Sequence, residues 1–205
     1  LDASKTEKII SSLHIDHSVK PVAFFTGGTS EAQKRLDEFL ETKLDGYAEN
    51  RSDAANPHIS CLSPYLHFGQ ISPVQIARAI READAAEESR KSYLDELITQ
   101  RELAMNFVFY NPDYDSFKCL PGWAQKSLKA HEIDIRPVIY TRETLEKAET
   151  GDRYWNAAMN EMRKTGYMHN HMRMYWGKKI LEWSKTPEQA YKTTLYLNNK
   201  YFLDG

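Results

Sequence analysis

Trp176 and Trp183 stand seven residues apart within MHNHMRMYWGKKILEW, residues 168–183. On a helix that spacing returns both side chains to nearly one face, separated by a rise of about 10.5 Å. Trp155, on the preceding predicted helix, can pack into the same row. Three oxidisable indoles in file can carry an electron from the surface to a buried acceptor. Met172, Leu181 and the tryptophans also suit a plain packed core, and the spacing alone leaves both readings open.

Polar groups raise a second question. Glu96 and Gln100 lie one helical turn apart and can offer a carboxylate and an amide to one ligand. Arg101 falls in the stripe Leu94, Leu97, Ile98, Arg101, Ala104, Met105 and Val108, whose spacing is that of a buried face. A guanidinium in such a stripe needs an anion to offset its desolvation. The alternative is a surface Glu–Gln pair with Arg101 reaching to solvent along its own stem. Ser63-Pro64 resembles an N-cap followed by proline at the first helical position, an end whose free N–H groups suit phosphate; many such starts are only caps. His169 and His171, two residues apart, point about 200° apart on a helix. With no third ligand nearby, no metal site is expected.

These groups must be placed by helices. SEAQKRLDEFLETKLDG (30–46) opens with Ser30 and Gln33 in capping-box spacing and should stop near Gly46. Ser63-Pro64 starts a short helix; Ser72-Pro73 starts one running to about Ala83. The segment 89–110 predicts one long helix ending before Asn111-Pro112. Further helices are expected over 121–131, 141–149 and 152–164, the last closed by Gly166, and from Thr186-Pro187 to about Asn198. Val22 to Phe25 is the one strand candidate. The expected fold is an all-α, multihelical domain over 30–205, preceded by a lead-in over 1–29.

Bulk properties narrow the function. A net charge of −2 does not by itself announce nucleic acid, while twelve Tyr, eight Phe and four Trp are a marked aromatic share. Cys61 and Cys119 lack ligand-like spacing and fit a reducing intracellular compartment. No 18-residue apolar window exists, so no membrane span is expected. The chain begins at Leu1 without an initiator Met, and a longer natural protein is expected.

SCLSPYLHFGQIS, LDELITQRELAMNFVFYNPDYDSFK, TGYMHNHMRMYWGKKILEW and YLNNKYFLDG, in this order and spacing, resemble the photolyase/cryptochrome superfamily, most closely the class II cyclobutane pyrimidine dimer photolyases. The resemblance covers the chain from about Val22 onward. It implies a helical FAD-binding domain that splits cyclobutane pyrimidine dimers in double-stranded DNA. The chemistry is light-driven electron transfer from reduced FAD to a dimer flipped out of the duplex. It further implies that Tyr47, Ser60, Cys61, Leu62, Ser63, Leu66 and Gln70 line the cofactor. Arg101, Asn170, Arg173 and Asp204 contact it as well, Asp204 being the carboxylate partner of Arg173. Asn198 governs protonation near the flavin, and Glu96 and Met174 face the lesion. Gln100 stands on the lesion side and Arg51 meets a DNA phosphate. Trp176, Trp155 and Trp183 form the electron chain, in that order outward, with Tyr140 and Tyr175 as auxiliary members.

Asn170 stands where class II members generally have glycine, Met105 where an aspartate is common, and Gln100 where a bulkier or basic residue is usual. An N-terminal α/β domain with an antenna chromophore, and the segment after LDG, belong to the family and lie outside this chain. A monomer is expected. A cryptochrome-like flavin photoreceptor and a flavin-free helical DNA-binding or interaction module are the competing functions.

Overall fold

The computed structural model describes residues 5–204, so residues 1–4 of the lead-in and Gly205 lie outside it. Among the described residues every regular element is helical. They run α1 (Thr6–Ser11), α2 (Thr29–Thr42), α3 (Tyr47–Asn50), α4 (Ser63–His67), α5 (Pro73–Glu82) and α6 (Glu87–Leu94). A π-helix (Asp95–Gln100) leads directly into α7 (Arg101–Tyr110). A 3-10 turn (Phe117–Cys119), α8 (Gly122–Ala130), α9 (Arg142–Lys147), α10 (Arg153–Thr165), α11 (Asn170–Glu182) and α12 (Pro187–Tyr201) complete the order.

Two apolar clusters hold these helices. The first joins Ala32, Leu36 and Phe39 of α2 to Tyr47, Tyr65, Ile76, Ile80, Tyr93 and Leu97. The second joins Leu145, Trp155, Met159 and Met162 to Met168, Trp176, Ile180, Trp183, Leu197 and Phe202. Local signals explain several starts and stops. Ser72 Oγ accepts from the N–H of Val74 with Pro73 at the first position, and Thr186 Oγ1 accepts from Gln189 in the same manner. Asp152 Oδ1 accepts from the N–H groups of both Tyr154 and Trp155 to open α10. Gly166 closes α10 at φ 70°, and a Cβ there would meet Leu203 Cγ at 2.6 Å. The Gly166 carbonyl accepts from Leu203 N–H at 3.0 Å, which sets the course of the chain into Asp204.

Several expectations are corrected. The Ser30–Gln33 capping box does not form: α2 starts at Thr29 with Gly28 as N-cap at φ 122°, and the Gln33 side chain bonds Asp37 and Gln75 instead. Ser63 is the first helical residue rather than the cap, so its hydroxyl is not spent on the helix end. No strand forms at Val22–Phe25, which bends instead. There the Arg35 guanidinium, 4.8 Å from the Phe25 ring, binds the Phe24 carbonyl and the Tyr65 hydroxyl, tying the lead-in to the helical body. The helix over 89–110 is continuous, but not α throughout. Its middle widens into the π turn that carries Glu96 and Gln100, so an α-helical count does not give their facing.

Candidate functional site

The two clusters meet at a seam, and the seam is hollow. A cavity of about 270 Å3 is walled on one side by Tyr47, Ser60, Cys61, Leu62, Ser63 and Tyr93, and on the other by Tyr167, Met168, Asn170, Arg173 and Asp204. A second cavity of about 800 Å3 shares Ser63 and Asp204 and extends along Leu66, Arg101, Ala104, Met105 and Val108. Together they have the dimensions of a large ligand cleft.

This placement corrects the stripe reading of α7. Met105 and Val108 are each half exposed, and α7 buries none of its residues. The face expected to pack into protein forms a cavity wall. Arg101 is therefore not a buried charge: it lines the larger cavity, about one-third exposed, with only a loose 3.7 Å pairing to Glu102.

At the joint between the cavities, Arg173 Nη2 donates to both Asp204 oxygens, at 2.9 and 3.1 Å, and its Nε donates to the Met168 carbonyl at 2.9 Å. The Asp204 side chain is only 10% exposed, so this pair is shielded from solvent. The guanidinium also lies 4.0 Å from the Phe202 ring centroid. Opposite, Cys61 adopts φ 53°, a costly conformation for a residue with a Cβ. Burial pushes its thiol above the ordinary value. Tyr93 donates its hydroxyl to Ser60 Oγ at 3.0 Å.

Behind this wall run the indoles. Phe202 meets the Trp176 ring at 6.1 Å. Trp155 donates Nε1–H to the Trp176 carbonyl at 3.1 Å and meets the Trp183 ring at 5.5 Å. Tyr140 stands edge-on to Trp183 at 5.2 Å. Trp155, Trp176 and Trp183 are all buried. Tyr175 donates to Asp152, and that hydrogen bond pushes its phenol up to about 12.

The other expected residues are more scattered. Glu96 forms a partly exposed ion pair with Arg51, outside both cavity walls. Gln100 donates to Asp95 on its own helix, at 3.4 Å. Met174 is exposed on α11. Gln70 accepts from Gly28 N–H at 2.9 Å and stands outside both cavity walls. Asn198 also lies outside them, its amide donating to Asn199. His169 turns its ring inward as N-cap of α11, Nδ1 accepting from His171 N–H. Sequence reasoning missed Tyr93, Tyr167, Met168 and Phe202. Tyr167 and Met168 sit inside a motif already singled out, but only the packing shows that they reach the cavity.

Fold and site together define an all-helical domain with an ion-paired, aromatic-walled cleft and a file of buried indoles behind it. The chain is 51% identical over 181 residues to a deoxyribodipyrimidine photo-lyase of Methanothermobacter thermautotrophicus, covering 88% of this chain and 40% of that protein. It is 48% identical over 171 residues to the enzyme of that name in Arabidopsis thaliana, covering 82% and 34%. With Cryptochrome-1 of Sinapis alba it shares 30% over 155 residues, covering 72% and 30%. No family model matches. Among solved structures, a class III photolyase from Agrobacterium tumefaciens superposes with a TM-score of 0.63 at 22% identity, covering 85% of this chain and 38% of that one. A Synechocystis cryptochrome gives 0.55 at 20%, covering 93% and 42%; these two likenesses bear on the fold alone. The chain belongs to the photolyase/cryptochrome superfamily, whose members are in general flavin proteins. It spans between a third and two fifths of the length of the curated photo-lyases named here.

Proposed function

We propose that this chain is the greater part of the FAD-binding domain, residues 30–205, of a class II DNA photolyase that splits cyclobutane pyrimidine dimers under light. The observation that carries the reading is the seam cavity, gripped by Arg173–Asp204 and backed by the indole row. The identity to proteins named deoxyribodipyrimidine photo-lyase supports it.

The residues present fit FAD. The larger cavity offers an apolar wall with Arg101 for an anionic group, and the smaller one offers Ser60 and Ser63 hydroxyls beside Arg173. Trp176 Nε1 and His169 Nε2 are buried without a hydrogen-bond partner among the described residues, but neither residue lines a cavity wall, so the fit rests on Arg101, Arg173, Ser60 and Ser63. When bound and reduced, FAD supplies an electron on absorbing light and regains it after the dimer opens.

The chain's own groups prepare that chemistry. Arg173 places a cation where negative charge must be held, and Asp204 fixes its plane. Asn170 stands at the cavity edge. Glu96 and Arg51 stand on the side where a flipped dimer would enter, Glu96 when protonated donating to the pyrimidine C4 carbonyl edge and Arg51 meeting a phosphate; Gln100 and Met174 complete that side. Asn198 holds the proton state near the flavin once its amide turns from Asn199. Tyr47, Cys61, Leu62 and Leu66 exclude water, and Gln70 steadies the wall from behind. Trp176, Trp155 and Trp183 serve a separate step, refilling an oxidised cofactor with electrons.

The parent acts as a monomer on double-stranded DNA in a reducing intracellular compartment, with any antenna chromophore in a preceding domain. Among the described residues no helix is long and apolar enough to cross a membrane.

The test is a dimer-bearing oligothymidine incubated with the reduced, flavin-loaded parent under blue light. Loss of the dimer is expected. Persistence of the dimer with intact flavin favours a photoreceptor, the reading that the likeness to Cryptochrome-1 supports. Colourless protein that takes up no FAD would leave a flavin-free helical module.

A further inference from the structure

Lys179 and Glu182 stand beside the last indole of the row. The Lys179 ammonium lies 5.2 Å from the Trp183 ring centroid. It donates to both Glu182 oxygens, at 3.0 and 2.9 Å. The Lys179 side chain is only 25% exposed, against 50% for Glu182, so it is laid along the protein rather than free in solvent. Its charge also reaches the Asp152 carboxylate that opens α10 just before Trp155.

A cation over a neutral indole is attractive, because it meets the negative face of the π-system. Removing one electron from the ring reverses the sign. The indole then carries net positive charge, and Coulomb repulsion from the ammonium outweighs the quadrupole term. The Glu182 carboxylate acts the other way.

We propose that Lys179 is a tuning residue of the indole row, raising the cost of an oxidised Trp183, and that Glu182 sets how strongly it does so. The inference rests on the proposed function. In the step concerned one electron passes from Trp183 to an oxidised Trp155, whose own electron has gone through Trp176 to a photoexcited oxidised flavin. Trp183 is oxidised and Trp155 restored; no bond breaks and no proton moves. Lys179 biases that exchange back towards Trp155. Glu182 keeps the bias small enough for the vacancy to reach Trp183.

The two carboxylate and ammonium variants must therefore act in opposite directions, which a merely structural salt bridge would not produce. Transient absorption of the flavin-loaded parent after a light flash should show the indole radical several-fold longer-lived in Lys179→Met and several-fold shorter-lived in Glu182→Gln. Oxidation of the flavin-free protein by azide radicals should shift the decay of the slowest indole radical in the same two directions, free of any effect on flavin. Equal lifetimes in both variants, or changes of the same sign, overturn the proposal. Failure of the underlying reading is separately visible: photoreduction that survives Trp176→Phe means the row is not the route.

Discussion

Trp155 donates its indole N–H to the main-chain carbonyl of Trp176 at 3.1 Å, while its ring edge meets Trp183 at 5.5 Å. One side chain thus touches both of its neighbours in the row, one through the backbone and one through the ring. Trp176 lies within α11 and Trp183 is its C-cap, one residue past the last helical position, and Trp155 is laid between them from α10. If that row conducts, Trp176→Phe should abolish photoreduction of oxidised FAD yet spare dimer repair by chemically reduced protein. Steady-state illumination followed at the flavin band separates the two; unchanged photoreduction would assign the indoles to packing alone.

The site depends on a glycine that never touches it. Gly166 at φ 70° lets Leu203 pack on the end of α10 and so delivers Asp204 to Arg173. Gly166→Ala should cost about 1–2 kcal/mol for the left-handed backbone alone, and more as Leu203 is displaced. Flavin retention should fall in parallel. Asp204→Asn, which spares the backbone, should weaken flavin retention with a smaller loss of melting temperature. Titration of apoprotein with FAD, beside thermal melts, checks both.

Cys61 holds φ 53° in the cavity wall. Cys61→Gly should raise stability by about 1 kcal/mol by removing the Cβ penalty, whereas Cys61→Val should lower it. Denaturant melts of the three proteins measure this directly, and a destabilised glycine variant would mean that the thiol's packing outweighs the strain.

Burial holds the His169 imidazole below its ordinary value of 6.5. The unfolded chain therefore binds its proton more readily than the folded one. His169 in this state contributes stability above pH 6.5 that is lost as pH falls towards the lower folded value. A proton on Nδ1 would also remove the acceptor for His171 N–H at the start of α11. His169→Asn, which can cap without titrating, should flatten the fall of stability below about pH 6.5. An equal acid slope in both proteins would locate the effect elsewhere.

Much of the architecture was legible because caps and stops are local. Ser72-Pro73, Thr186-Pro187 and Gly166 mark ends that the structure keeps. The Ser30–Gln33 box was not, since a distant residue, Gln75, captures the Gln33 amide oxygen. Periodicity identified an apolar face on α7 but could not tell a packed face from a cavity wall, because both are lined mainly by apolar side chains. The pairing of Arg173 with Asp204 came from family likeness, and the geometry agrees with it. Phe202 lies within the YLNNKYFLDG motif, but its place between the guanidinium and the first indole shows only in the packing.

The widened turn at Asp95–Gln100 carries one more consequence. Such a turn behaves as an ordinary helix that has swallowed a surplus residue. Excising a single residue there would let the helix tighten and swing everything downstream by about 100°. Arg101, Met105 and Val108 would then rotate off the cleft together. The surplus residue thus acts as a phase setting, fixing which way a whole ten-residue segment looks.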